Sequence, residues 1–512
     1  MLSKITTASI NGLDVEKVIV ETDFSQGLPN LLLVGLPGMT VRESKERIRS
    51  AILNSGYVFP MKRITVNLSP ADTRKTGSHF DLPMAVGIMS SMGKFDHCHN
   101  EQMAFLGELS LDGTLNPVES CLALVLGLQK QGIKEVYVPE DNVSELAHLD
   151  DLNIYGASTL TQVIDHLSGM EKIAAVQTQD RSREFLKAED EIGDDYSDIY
   201  GRETAKRSMQ ICAAGWHDIL IEGPPGTGKT MLASRLNTIM FEPCKEEVLE
   251  IEQIRSIAGE PPYNRNVAML RPFRAPHHTA TAVSMIGGGI NPKPGELSLA
   301  HRGILFLDEL PEFDKKVLDM LRQPMEDGYI NLSRLSAKHK YPCQFVFVAA
   351  MNPCPCGYYN DPVRECICTT GARIRYAERI SGPLRDRFDL HIRTDSVKYQ
   401  GQKAAGVSTS SKQLKVGVKT ATLIQNERYS KESFRYNSQI PAAKLNVYCR
   451  LDNNSEKLLE NACNGFKLSA RGTAKIRRVA RTIADLEESE NIKEEHIAEA
   501  VGYRDESVGS EI

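Results

Sequence analysis

The 512-residue chain has no stretch approaching about 18 consecutive apolar residues, so its sequence holds no membrane-spanning helix. Its first residues, Met1 to Thr7, lack a charged region followed by an apolar core. No secretory signal is legible there, and a cytoplasmic protein with no membrane partner is expected. Nor is there an excess of basic charge: 61 Lys and Arg stand against 67 Asp and Glu, a net charge of −6. This excludes a wholly basic, histone-like nucleic-acid binder. Local basic patches remain open, since phosphate contacts need only a few well-placed cations. Eleven cysteines, an odd number, fit a reducing compartment better than a disulfide scaffold. Internal repeats and low-complexity tracts are absent. What is there is ordinary for a globular protein, with 25% charged and 41% hydrophobic residues. The length suggests about three domains or lobes.

Residues 1–170 alternate β-like runs (Val18–Val20, Leu31–Val34, Ile64–Val66) with helical patterns at Val41–Leu53 and Met84–Met92. Ile133–Pro139 reads as a late strand ended by its proline. From 171 to 195 the chain turns polar, and Glu189–Asp195 carries five acids in seven residues. This predicts an interdomain linker, the alternative being an acidic helix end. Residues 196–395 hold most of the recognisable chemistry. A polar stretch follows, then helical periodicity clearest in Ile476–Leu486, which predicts a helical lid over 396–512.

The apolar run Ile219–Ile221 enters Gly223-Pro224-Pro225-Gly226-Thr227-Gly228-Lys229-Thr230. Glycines at these places let backbone N–H groups curl around a β-phosphate. Lys229 reaches the β/γ oxygens, and the Thr230 hydroxyl ligates Mg²⁺. A helix starting near Lys229 adds its positive end. A second apolar run, Gly303–Leu307, ends in Asp308 and Glu309. There Asp308 would hold Mg²⁺ and Glu309 would polarise the attacking water. A third, Phe345–Met351, ends in Asn352, either a turn residue or one that orients that water. Together these parts predict nucleoside triphosphate hydrolysis. Cys354-Pro-Cys356 and Cys366-Ile-Cys368 stand nine residues apart, which could close a tetrahedral Zn²⁺ site, a disulfide or free thiols being the alternatives. Gly328–Pro342 reads as a hairpin with Arg334, Lys338 and Lys340 and no acid. It is either a DNA-gripping element or an exposed hairpin kept soluble by its lysines.

Arg274–His278, Gly287–His301, Leu307–Phe313, Met351–Gly357, Ser381–Leu390 and Val479–Asp485 resemble the ComM (YifB) family of magnesium-chelatase-like AAA+ proteins. With a matching N-terminal segment, the resemblance covers nearly the whole chain. It implies an α/β fold: a Lon-protease-like N-terminal α/β domain, an AAA+ P-loop core and a C-terminal helical lid. It implies ATP rather than GTP, and a ring-forming, hexameric motor with sites between subunits. Arg387 then looks like the arginine finger. Arg385, where leucine is usual, offers a second guanidinium close by. Arg471 falls at the sensor-2 position. Lys229 and Asp308 are 79 positions apart, and the triple glycine and Pro292-Lys293-Pro294-Gly295 between them resemble a helix-2 insert, making Lys293 a further DNA-contact candidate. His277 and His278 are read as shaping a loop rather than binding metal.

Ser69–Pro139, above all Gly107–Val118, resembles the proteolytic domain of Lon proteases. The nucleophile position falls on Met84 and the lysine position near Leu122, neither of which can serve a Ser–Lys dyad. A non-proteolytic scaffold is expected, with Ser78 and Lys75 a residual dyad. The resemblance implies a helicase promoting branch migration on single-stranded, double-stranded or branched DNA during natural transformation and homologous recombination. The alternative is a chelatase-type or chaperone-like remodeller of a protein partner.

Overall fold

The computed structural model describes residues 2–95, 101–146, 149–176, 194–261, 270–289, 292–333, 338–396, 408–466 and 468–504. Most of the acidic linker expected at 171–195 lies outside these residues, as does Arg334. The chain divides into two units. One comprises Met1–Phe185, Glu252–Tyr263 and Ser333–Lys340; the other comprises Leu186–Ile251, Asn264–Leu332 and Tyr341–Ile512.

In the first unit, β1 (Ser3–Asn11), β2 (Asp14–Ser25), β3 (Asn30–Val34) and β4 (Arg63–Ser69) form a sheet of order β1-β2-β4-β3. Its pairs are antiparallel except β3 with β4. β5 (Met103–Phe105), β8 (Glu135–Pro139) and β9 (Asn153–Ala157) make a parallel sheet, and β6 (Glu108–Leu109) pairs with β7 (Leu115–Asn116). The helix Asp81–Ser91 is buried along its whole length and carries Met84 into the apolar core beside Ile88 and Phe80. Leu122 is likewise buried, in the helix Cys121–Lys130. Lys75 is fully buried and donates to the Pro70 carbonyl and to the Thr73 carbonyl and hydroxyl (2.9 and 3.0 Å). An ammonium whose three protons are spent this way is no base for Ser78.

The second unit is built on a five-stranded sheet of β10 (Ile219–Glu222), β11 (Phe273–Arg274), β14 (Ile304–Leu307), β17 (Val346–Met351) and β18 (Leu390–Arg393). The order is β11-β14-β17-β10-β18, every pair parallel. β10, β14 and β17 are buried at every position. They read as continuous apolar runs because a parallel sheet is covered on both faces. Alternation assigns the two faces. Ile221, Ile304, Val346 and Val348 meet the helices Glu203–Gly215, Ser411–Arg428 and Ala470–Leu486; Leu220, Leu305, Leu307 and Phe347 meet the helix Lys315–Asp327. The C-terminal helices therefore share one core with the sheet.

Between β11 and β14 the insert forms the helix Ala282–Ile286, the ribbon β12 (Gly287–Gly288) with β13 (Lys293–Pro294), and the turn of helix Glu296–Leu299. β15 (Tyr329–Ser333) and β16 (Lys338–Pro342) make a two-stranded sheet, and the turn of the expected hairpin lies outside the described residues. Among the described residues no helix is long and apolar enough to cross a membrane.

Candidate functional site

The loops leaving the neighbouring strands β10 and β17 lie side by side at their carboxyl ends, where open parallel sheets bind ligands. The loop after β10 requires its glycines. A Cβ on Gly223 would lie 2.2 Å from Thr394 Oγ1, and Gly228 holds φ at 82°, in the left-handed region. Thr227 Oγ1 donates to Pro224 O at 2.9 Å, tightening the turn.

Lys229 points into this loop. Its Nζ donates to the carbonyls of Gly223 (2.7 Å) and Pro224 (2.9 Å) and to Asn352 Oδ1 (3.1 Å). Burial lowers its pKa, and the Asp308 carboxylate opposes that shift. Thr230 Oγ1 donates to Asp308 Oδ2 at 2.7 Å. Two adjacent hard oxygen donors of this kind suit Mg²⁺. Glu309 sits at φ 52°, in the left-handed region, its N–H on Asp308 Oδ1 at 2.9 Å. Its half-exposed carboxylate is 3.5 Å from His278 Nδ1. A non-glycine residue in that conformation stores strain. The structure thus brings Lys229, Thr230, Asp308, Glu309 and Asn352 into one group.

Sequence reasoning missed several neighbours. His278 faces Glu309, a role its adjacency to His277 does not signal. Arg202 and Glu222 both act on the charge of Lys229. Burial raises the Glu222 carboxyl, against the pull of Arg393, Arg385 and Lys229. Thr394, after β18, bonds Thr227 Oγ1 at 3.0 Å.

A second group forms around Glu326. Arg387 is ion-paired to it, and this hydrogen bond, reinforced by Arg471 and Arg322, holds the carboxyl below its usual range. Arg385 donates elsewhere, to the Ala377 carbonyl at 3.3 Å. Arg471 opens the helix Ala470–Leu486 as an exposed residue. Asp389, two residues past Arg387, is a fastening. It accepts from His217 Nδ1 and pairs with Lys475 Nζ, both at 2.9 Å, and Lys475 also donates to Arg387 O. Although burial opposes its ionisation, Lys475 and His217 hold Asp389 ionised to unusually low pH. Burial, then the charge of Asp389, pushes neighbouring Asp218 up to about 7.

Other motif residues prove to be pins. Arg274 is bidentate to Glu296 at 2.7 and 2.9 Å, and buried Asp485 takes Arg428 at 2.6 and 2.8 Å and Arg481 at 3.1 Å. Lys293 and Lys340 are exposed, and Lys338 starts β16. Cys354, Cys356, Cys366 and Cys368 converge, with sulfur atoms all within 4.8 Å of one another.

The sheet order, the loop after β10, the acids after β14, the polar residue after β17 and the helical C-terminal region together define the AAA+ class of P-loop ATPases. The chain matches the family "Magnesium chelatase, subunit ChlI" over residues 195–402, "Subunit ChlI of Mg-chelatase" over 20–142, and "Magnesium chelatase, subunit ChlI C-terminal" over 408–504. It is 42% identical to competence protein ComM of Haemophilus influenzae over 497 residues, covering 96% of this chain and 95% of that one. It is 38% identical to the protein YifB of Escherichia coli over 503 residues, covering 98% and 97%. A shorter likeness, 28% over 159 residues, covers 29% of the chain and 20% of Lon protease 2 of Syntrophobacter fumaroxidans. The chain belongs to the ComM/YifB family of magnesium-chelatase-like AAA+ proteins.

Proposed function

We propose that this protein is an ATP-driven, ring-forming DNA motor, hexameric in its working state, that promotes branch migration during uptake and recombination of DNA. One observation supports the subunit arrangement: within one chain Arg387 is ion-paired to Glu326, with Arg471 acting on the same carboxylate, while Lys229 is held by Gly223, Pro224 and Asn352. On this reading Arg387 leaves Glu326 to serve the nucleotide of an adjoining chain, where it stabilises the charge of phosphoryl transfer.

Within one chain, Lys229 exchanges the Gly223 and Pro224 carbonyls for phosphate oxygens. Thr230 and Asp308 would hold a Mg²⁺ ion, which would supply neutralisation of phosphate charge. Glu309 draws the proton from the attacking water, His278 steadies Glu309, and Asn352 orients the water. The DNA reading rests on the likeness to the Haemophilus competence protein and on Arg334, Lys338, Lys340 and Lys293. In a six-fold ring the three hairpin cations become about eighteen, enough to grip phosphates despite a net acidic chain. The four clustered thiols would hold a structural zinc ion.

Phosphate release measured with and without a three-way DNA junction, alongside junction unwinding, tests the proposal. Stimulation and ATP-dependent unwinding are expected, with Lys338→Ala plus Lys340→Ala weakening DNA binding and flattening its salt dependence. Phosphate release indifferent to DNA would favour the remodeller of a protein partner.

A further inference from the structure

Cys354 follows the strand that ends at Met351, and Cys366 and Cys368 return to it after a loop. Three sulfur–sulfur distances are 3.4 Å (Cys354 to Cys356), 3.7 Å (Cys354 to Cys366) and 3.6 Å (Cys356 to Cys366). A disulfide needs about 2.05 Å. A tetrahedron of thiolates about 2.3 Å from zinc has edges of about 3.8 Å, close to what these pairs show. The Cys356 N–H also points at Cys368 Sγ at 3.3 Å, the kind of outer hydrogen bond that orients a metal-binding thiolate.

The loop so closed touches the phosphate site. Gly357 holds φ at 87°, and a Cβ there would lie 2.5 Å from Pro225 Cδ and 2.7 Å from its Cγ. The backbone of the cysteine loop therefore rests directly on the P-loop, where only glycine fits. Two residues before Cys354, Asn352 bonds Lys229. On the far side Arg393, the last residue of β18, donates to the carbonyls of Tyr359 and Asn360 at 3.2 and 3.1 Å. The loop thus spans the ends of β10, β17 and β18, the three strands that frame the phosphate crevice.

We propose that Cys354, Cys356, Cys366 and Cys368 bind one zinc ion, and that the metal-closed loop, through Gly357 on Pro225 and Asn352 on Lys229, braces the P-loop in its nucleotide-binding shape. Zinc occupancy then sets nucleotide affinity. This rests on the nucleotide-site reading above and adds a metal that acts on it from outside the phosphate contacts.

The test uses the full-length protein, purified under reducing conditions, with three readouts: metal content per chain, absorption after Co²⁺ exchange, and affinity for a fluorescent ATP analogue. One zinc per chain and thiolate-to-cobalt absorption are expected. Stripping the metal should weaken nucleotide binding by about tenfold or more, and Zn²⁺ alone should restore it. Gly357→Ala should keep its zinc yet bind nucleotide more weakly, and Cys366→Ser with Cys368→Ser should lose both. Absence of zinc or of cobalt–thiolate absorption overturns the site. Unchanged affinity in stripped protein and in Gly357→Ala overturns the brace. Zinc-loaded protein that binds no ATP analogue would instead refute the nucleotide reading and leave the metal stoichiometry standing.

Discussion

The group around Lys229 mixes carboxylates and cations, whereas the group around Glu326 is cationic but for one carboxylate. At the first, Asp308, Glu309 and Glu222 interleave with Lys229, Arg202, Arg385 and Arg393; at the second, one carboxylate faces Arg387, Arg471 and Arg322. Carboxylates beside a phosphate-cradling loop suit a metal-bound anion. A cation-rich patch calls for the anion itself. On the proposed reading, the two groups would meet at a site shared between chains. Arg387 already has a partner within one chain, Glu326, which on the proposed reading it would exchange for the phosphate of a neighbouring chain.

Removing the cation should show the largest effect. Arg387→Ala is expected to retain nucleotide binding and lose about a thousandfold or more in turnover. Glu309→Gln should also bind ATP, losing about a hundredfold or more. Mixing these two inactive variants should recover activity, because a seam can then form between an intact Glu309 and an intact Arg387. Phosphate release from the mixture no higher than from either parent would break the shared-site comparison.

A third substitution asks whether the two groups depend on the buried charges that fasten the C-terminal helices. Asp485→Ala leaves Arg428 and Arg481 without their carboxylate, and should destabilise the second unit by about 3–5 kcal/mol in denaturant titrations. A smaller change, an effect of Glu309→Gln size on turnover with unaltered stability, would mean that Asp485 serves chemistry instead.

The smallest effect is one of pH. Unfolded Asp218 ionises near the ordinary carboxyl range, whereas the folded protein keeps it protonated up to about 7. Across that interval the native state holds the extra proton, so this group's contribution to stability falls as pH rises. Asp218→Asn should flatten the decline in urea midpoint between about pH 4 and 7. An equally steep decline in the variant would assign the dependence to other groups.

Much of the second unit was legible because its signals are local. β14 and β17 announce themselves as unbroken apolar runs, and the glycines of the P-loop and the acids after Leu307 stand next to the strands that present them. β11, two residues long, carries no such pattern and is a strand only because it pairs with β14. Motifs such as Val479–Asp485 were readable as a likeness but silent about their work. Asp485 meets Arg428 across 57 positions, and Asp389 meets His217 across 172. In the first unit, the side chains of Met84 and Leu122 by themselves exclude a dyad, yet nothing in their vicinity tells that Lys75 gives its protons to Pro70 and Thr73.

Residue order alone determined the phosphate loop, the acids that follow β14, the four-cysteine spacing and the alternation of strands and helices, since each depends on neighbours within a few positions. Only the folded chain decided that Glu309 faces His278, that Arg387 and Arg471 share Glu326, and that Gly357 rests on Pro225. Those contacts join segments far apart in sequence, and it is the packing of strand ends in a parallel sheet that brings them together.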